Sequence, residues 1–582
     1  MNKIISAIIV LLIGSYAIGQ DKSAAIENYL DRAHQLNRFS GAVLVQKGEQ
    51  VLLKKAYGIA KLDQQINNTV ATKFNIGSIT KQFTATAILK LYQDGKLELH
   101  HPINTYLGKF ASNRWRKVTV HHLLSHQSGI PSILQSGQGL DEYWPRETSI
   151  SWDEQIAYFK DLKLINTPGE EYMYNNTGYI LLALIIEQVT QIPYHQFMEE
   201  YVFKANKLYA TTVSKKGDLI ADNHFCYDPT EMEKAPEYHY SWYRGAGGNY
   251  ATVEDLNKWY SIIHHGNFLN QENKERLFKV YARNYGYGWV ITQRNHQKLV
   301  YHDGTDFGST SFFLTVPQED LRIIILTNQT HKELELLGES EDWVQQIGYD
   351  LLDIVNGEKI KALPKLAKSN TTYSVFNGSY AFEDGTVVSI VTKDSIAKLI
   401  HKKANLSLYR FKFYQSVGVE NDEIATRAIK ASEALSKRKY WKFAKYCDGE
   451  MKTVAYTGLL SIGFNQITKP IGDIKQAIVY DIKENVATAR FYGTLGNVDF
   501  EIIFDKDKKI QGVFDTGYSD YLPPQTIELK QISGQRLFID GFAIGENDAI
   551  LELEEKNGIT YIKLTQGDRS FLGKKLSKLS LP

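Results

Sequence analysis

At 582 residues the chain is longer than one hydrophobic core organises, since cores split into separate domains beyond about 250–300 residues. Hydrophobic residues at 43% and charged ones at 23% exclude a disordered chain. A balance of 67 basic against 66 acidic side chains removes the electrostatic reason to expect nucleic acid or an anionic membrane as partner.

The opening stretch, MNKIISAIIVLLIGSYAIGQ, carries a positive start at Lys3, an apolar run from Ile4 to Ile13 and the small-residue pattern Ala17-Ile18-Gly19. That order predicts a secretory signal peptide over residues 1–20, too short for a comfortable membrane span. No cysteine follows the run to take a lipid anchor, and no later segment reaches about 18 unbroken apolar residues. The expectation is an exported protein, periplasmic or secreted, with no membrane span. Cys226 and Cys447 make no disulfide framework and lack CxxC metal spacing, so two separate buried thiols are expected, with a bridge between them as the alternative in an oxidising compartment.

Ser23 to Leu36 reads as an amphipathic helix, and Gly41 to Ala60 as two strands around a Lys47-Gly48 turn. A helix opens at Ser78 and runs to about Gln93, where Asp94-Gly95 is a stop signal. Helical stretches dominate to about Leu256. YGYGWVIT, TSFFLTVP and LRIIILTN are short β-rich runs, and Trp343 to Val355 reads as a closing helix. Strands at both ends with helices between them predict an α/β (α+β) domain over 21–358, its antiparallel sheet assembled from both termini and flanked by helices. Polar, lysine-rich composition marks a linker at 359–370. The remainder, 371–582, reads as β-rich, with turns at Asn377-Gly378 and Asp384-Gly385, a helical segment at about Glu423 to Tyr446, and alternating strand-like runs after it.

Three short elements can carry chemistry. Ser78-Ile79-Thr80-Lys81 places a serine and a lysine on one face of a helix start. A serine hydroxyl is a poor nucleophile until a neighbouring base takes its proton, and the helix terminus offers backbone donors to a developing anion. Tyr174-Asn175-Asn176 precedes an apolar helix. A phenol there is a base if cations lower its pKa from about 10, and Asn176 offers an amide for a substrate carbonyl; packing and N-capping are the plainer uses of the same residues. His302-Asp303-Gly304-Thr305 leads into a strand, where Gly304 lets a substrate backbone approach closely, while an isolated histidine before a turn also serves purely structural ends.

The order of these elements, with TKFNIGSITKQFTA, GKLELHHPINTYL, VTVHHLLSHQSGIP, YMYNNTGYILLALIIEQVT, GAGGNYATVEDLNKW and YGYGW around them, resembles the serine β-lactamase and penicillin-binding protein superfamily, specifically its class C-like branch. The resemblance implies a serine β-lactamase-like catalytic fold and an acyl-enzyme hydrolase without cofactor or metal. It makes Ser78 the nucleophile, Lys81 its proton partner and Tyr174 the acid/base. Asn176, His302, Gly304 and Thr305 become substrate-binding residues, with the amides of Ser78 and Thr305 as oxyanion donors. His122 and His126 match a structural stretch of that family. His302 stands where β-lactamases and transpeptidases keep a lysine, so the fixed charge that attracts a carboxylate is mostly missing. A residual anion anchor at His302 would weaken between about pH 6 and 8.

The function so implied is an exported serine hydrolase cleaving a small-molecule ester, amide or short peptide, D-amino-acid peptides included. The alternatives are a penicillin-recognising DD-peptidase or β-lactamase, and a non-catalytic sensor of peptides or peptidoglycan fragments. Within the tail, 423–520 resembles the α+β cone of nuclear-transport-factor-like modules, which dimerise, bind ligands or cap a neighbour.

Overall fold

The computed structural model describes residues 22–576 except 134–144, 216–218, 229–230, 332–341, 361, 364, 367–375, 383–386, 394–395, 402–422, 457–458, 469–472, 475, 484–485, 493–496, 520–525, 534–535, 540–548, 557–558 and 567–568. The expected signal peptide lies outside the described residues. The chain divides into two compact units, 1–226 with 231–363, and 227–230 with 364–582.

The first unit is built on a six-stranded sheet. Its strands are β1 (Gly41–Lys47), β2 (Gln50–Tyr57), β3 (Val290–Arg294), β4 (Gln297–Asp306), β5 (Ser309–Val316) and β6 (Leu321–Thr327). They lie in the order β2-β1-β6-β5-β4-β3, all neighbours antiparallel. The first strand pairs with the last, Gly41 opposite Thr327 through Lys47 opposite Leu321. Both termini of the unit therefore share one sheet.

Five helices matter here: α1 (22–35), α2 (Thr80–Gln93), α3 (Asn176–Thr190), α4 (Val253–His264) and α5 (Asp342–Asn356). β5 and β6 are buried along their whole length, which requires cover on both faces of the sheet. Successive side chains alternate between those faces. Phe312 and Ile325, paired across the strands, meet α5 at Gly348, where a β-carbon would lie 2.4 Å from the Phe312 ring. Phe313 and Ile324, the next pair, join the main core with Phe83, Trp259 and Trp289. α2 lies inside that core, buried over most of its length, and stops at Asp94-Gly95, with Gly95 at φ +68°.

Two stretches differ from the sequence reading. The region before Leu256 also holds short strands, among them His224–Asp228, Glu231–Lys234 and Tyr250–Ala251, too short for an alternating pattern to mark them. His302 does not lead into a strand; it lies inside β4, which ends at Asp306.

The second unit contains a closed eight-stranded barrel: β7 (Gly378–Phe382), β8 (Val387–Lys393), β9 (Ile396–His401), and, after an insertion, β14 (Thr526–Ser533), β15 (Arg536–Ile539), β16 (Ala549–Lys556), β17 (Ile559–Gln566) and β18 (Arg569–Lys575). Pairing of β7 with β18, Tyr380 opposite Lys575, closes it. The insertion between β9 and β14 packs helices, among them Glu423–Ser436, on a four-stranded antiparallel sheet: β10 (Gln476–Lys483), β11 (Val486–Tyr492), β12 (Asn497–Phe504) and β13 (Ile510–Ser519). Register shifts at Val479/Asp481, Asp499/Phe500 and Ile503/Phe504 bend this sheet around a core that includes Phe464, Phe491 and Phe500. The thiols of Cys226 and Cys447 are both buried and not joined in a disulfide.

Candidate active site

Ser78 sits in a single 3₁₀ turn, Gly77–Ile79, that feeds into α2, and Lys81 occupies the first turn of that helix. Three residues of separation put them on one face. The Lys81 ammonium donates to Ser78 Oγ at 2.9 Å, to Asn176 Oδ1 at 2.8 Å and to the Ala246 carbonyl at 2.7 Å. Lys81 is fully buried, and these three acceptors are neutral oxygens.

The Tyr174-Asn175-Asn176 stretch is pinned by its middle member. Asn175 caps α3 by accepting from Gly178 N at 2.7 Å, and its own amide donates to His126 Nδ1 at 3.0 Å. That leaves the residues on either side facing Lys81. The Tyr174 ring centroid lies 4.9 Å from the Lys81 nitrogen. Lysine only donates, so its bond to Asn176 fixes the amide oxygen toward Lys81 and leaves Nδ2 as the free donor face.

The third element arrives at the end of β4. A β-carbon on Gly304 would lie 2.3 Å from Ile76 O and 2.9 Å from Ser78 N, and one on Gly77 would lie 2.9 Å from Thr305 N. The Ser78 turn and the Gly304-Thr305 strand thus run backbone against backbone, an approach closed to any residue with a side chain. Gly77 also needs its φ of +47° to make the turn.

His302 takes a different place from the one expected of it. It is 2% exposed, and both ring nitrogens are engaged inside the protein: Nδ1 with the Asp303 carbonyl at 2.5 Å, Nε2 with the Tyr285 hydroxyl at 2.9 Å. Burial holds the Tyr285 phenol well above its ordinary pKa, so it stays protonated. His302 therefore stands behind the cleft wall, and its ring has no nitrogen left to offer a substrate carboxylate. His126 packs against Tyr174 with ring centroids 4.4 Å apart, and burial, then the Lys81 and His302 charges, hold its pKa well below the usual range. His122 closes a capping box with Thr119. Among the described residues no group of three or more His, Cys, Asp and Glu is placed to hold a metal ion.

Three further residues complete the floor, and the sequence reading passed over all of them. Asp306 accepts from Asn75 Nδ2 at 2.8 Å, from Phe307 N at 2.8 Å and from the Tyr238 hydroxyl. Asn75 in turn accepts from Gly77 N at 3.0 Å, so the end of β4 is tied to the serine turn. Burial raises the Asp306 carboxyl to about 6. The period-two alternation of a strand puts residue 306 on the same face as Gly304, which is the signal that would have found it. Together these elements wall a cleft of ≈ 160 Å³, lined by Ser78, Asn176, Tyr243, Thr305, Asp306 and Phe307 with small residues between them. A hydroxyl beside a buried amine, an amide donor and closely apposed backbone amides is an arrangement suited to acyl transfer.

The chain is similar to known proteins in sequence and fold. The chain is 28% identical over 323 residues to Protein flp of Staphylococcus aureus (strain MW2), a match spanning 53% of this chain and 63% of that protein's length. It is 25% identical over 409 residues to Penicillin-binding protein 4* of Bacillus subtilis (strain 168), covering 64% and 86% of the two chains. In fold it is similar to the octameric penicillin-binding protein homologue from Pyrococcus abyssi, with a TM-score of 0.52 at 18% identity over 94% of this chain and 99% of that one. The D-amino acid amidase from Ochrobactrum anthropi SV3 matches at a TM-score of 0.50 and 21% identity, over 58% of this chain and 99% of that one. The Beta-lactamase family matches residues 24–342, a stretch that holds every site residue named above. By that match the chain belongs to the beta-lactamase family, within the serine β-lactamase and penicillin-binding protein superfamily.

Proposed function

We propose that this protein is an exported serine hydrolase that cleaves an ester or amide through an acyl-enzyme at Ser78. The observation that carries the reading is the buried Lys81 nitrogen, held at once by Ser78 Oγ and Asn176 Oδ1 under the Tyr174 ring. A binding-only cleft has no use for a buried amine held against a hydroxyl beneath a tyrosine ring.

In this reading the Lys81 ammonium first loses one proton to solvent, and Ser78 Oγ then attacks the acyl carbon while its own proton passes to the resulting amine. The carbonyl oxygen becomes an oxyanion between the amides of Ser78 and Thr305, and Asn176 Nδ2 donates to the acyl part of the substrate. Tyr174, in contact with Lys81, hands the proton to the leaving amine or alcohol as the carbonyl re-forms. A water molecule then attacks the Ser78 ester, gives up its proton by the same route, and the acid departs as Ser78 recovers its hydrogen. The named likeness to an amidase supports an amide substrate. A β-lactam or a peptide ending in a free carboxylate fits less well, because His302 faces away from the cleft and, among the described residues, no lysine, arginine or histidine lines it.

Intact-mass measurement after a fluorophosphonate probe and, separately, after benzylpenicillin tests this. The expected result is a Ser78 adduct with the probe and none with penicillin. Adducts with both would make the protein a penicillin-recognising enzyme; an adduct with neither would refute the hydrolase reading in favour of a sensor.

A further inference from the structure

Among the described residues that line the cleft, the charge is of one sign. Among the lining residues Asp306 is the one ionisable side chain that carries charge near neutrality. Its three hydrogen-bond donors, Asn75, Tyr238 and the Phe307 amide, are all neutral. Among the described residues no lysine, arginine or histidine forms an ion pair with it, and Lys81 acts on it only at a distance. A carboxylate oxygen pair accepts about four hydrogen bonds, and three are used. A half-buried carboxylate without a counter-ion is an expensive thing to keep in a fold, and it is normally paired or neutralised. Here it opens on the same space as the nucleophile, beside Tyr243 and Phe307, whose aromatic rings are also suited to a neighbouring cation.

We propose that Asp306 receives a positively charged amino group on the acyl donor, so that the cleft selects cationic esters or amides and repels substrates that bring a carboxylate to that position. The inference rests on the hydrolase reading for its functional meaning, but the charge preference itself is a property of the cleft. The missing counter-ion arrives with the substrate: its N–H groups take the unused lone-pair position on Oδ1, and the desolvated pair is strong where the same contact at the surface would be weak. Ser311 packs behind the site, its hydroxyl donating to Ile76 O at 2.9 Å, and brings no charge of its own. The plainer role for Asp306 is to hold Asn75 and, through it, Gly77. That role is indifferent to the charge of the ligand, and the two are separated by comparing ligands within one variant.

The experiment uses the full chain with Ser78→Ala, which binds without reacting. Calorimetry compares alaninamide (ammonium), N-acetylalaninamide (neutral) and N-succinylalaninamide (carboxylate). The expected order is ammonium, then neutral, then carboxylate, with about tenfold or more between the first two. Adding Asp306→Asn should collapse the order toward equality, and Asp306→Glu should keep it. Equal affinities for the three ligands, no measurable binding of alaninamide, or an order that survives Asp306→Asn would each overturn the proposal. Probe labelling of Ser78 in the wild type is judged separately, so loss of the hydrolase reading and loss of the charge preference give different results.

Discussion

Replacing Asp306 by asparagine is expected to stabilise the fold near neutral pH while impairing its use of cationic substrates. Burial, opposed by the hydrogen bonds from Tyr238, Phe307 and Asn75 and by the Lys81 charge, raises the carboxyl from 3.8 to about 6. At about 1.4 kcal/mol for each pH unit, holding it ionised at pH 7 costs about 3 kcal/mol, and about 2 once solvent reaching this half-buried group is allowed for. Asparagine can keep the Asn75 and Tyr238 donors on its oxygen, but its NH₂ then faces Phe307 N–H, and one hydrogen bond worth about 1 kcal/mol is lost. The net gain is about 1 kcal/mol. A carboxyl whose folded pKa lies above its unfolded one contributes stability that is complete below the unfolded value and lost as pH rises through the folded value. The wild type therefore sheds stability relative to the variant between about pH 4 and 6. Thermal melts of both full chains at about pH 4, 5, 6 and 7 should show the variant melting lower at the acid end and higher at the neutral end. A difference in midpoint that does not change with pH, or one that favours the wild type throughout, would show that the carboxylate is not destabilised and would remove the reasoning.

Other perturbations test the remaining parts of the site. Lys81→Met keeps most of the buried volume and removes the proton partner of Ser78; the rate of fluorophosphonate labelling should fall by about 10²–10⁴, and a variant labelled at the wild-type rate would exclude Lys81 from the chemistry. Gly304→Ala puts a β-carbon 2.3 Å from Ile76 O; β4 must move off the serine turn, with about 1–3 kcal/mol of stability lost and labelling slowed more than tenfold, whereas unchanged melting and labelling would deny the close approach. His302→Lys restores the lysine that penicillin-recognising relatives keep, but buries it against Tyr285 and Tyr174. Stability should fall by several kcal/mol without any penicillin adduct appearing, and a stable variant that penicillin acylates would mean that His302 does face the substrate.

What the sequence made legible was whatever depends on short separations. Ser78 and Lys81 are three apart and share a helix face, so their meeting could be read without any tertiary knowledge. The same holds for the end of α2 at Gly95 and for the apolar runs of β5 and β6. The chain also showed that Asn176 lies ahead of an apolar helix, but not that Asn175 takes the capping duty and frees Asn176 for Lys81. That assignment depends on His126, which accepts from the Asn175 amide 49 positions away in sequence. The strand pair that closes the barrel was out of reach for a similar reason: nothing local in β7 or β18 names the other as its partner.

The two misplacements at the third element have one cause. Placing His302 at the start of a strand leaves its side chain at a loop, free to turn toward a substrate. Placing it within β4 fixes which way every residue from 297 to 306 points. Gly304 and Asp306 share one face with His302, yet Gly304 lies against the Ser78 turn, and the two side chains on either side of it are separated by that contact. His302 goes inward to Tyr285, and Asp306 goes to Asn75, Tyr238 and the cleft. The same backbone that carries the Thr305 amide to Ser78 therefore decides the charge of the wall. With the histidine spent on Tyr285 and the aspartate without an ion-pair partner among the described residues, the side of the cleft where penicillin-recognising relatives hold a cation instead presents an anion. Substrate preference in this chain should follow that inversion, because discrimination between charges strengthens as solvent is excluded from the pair.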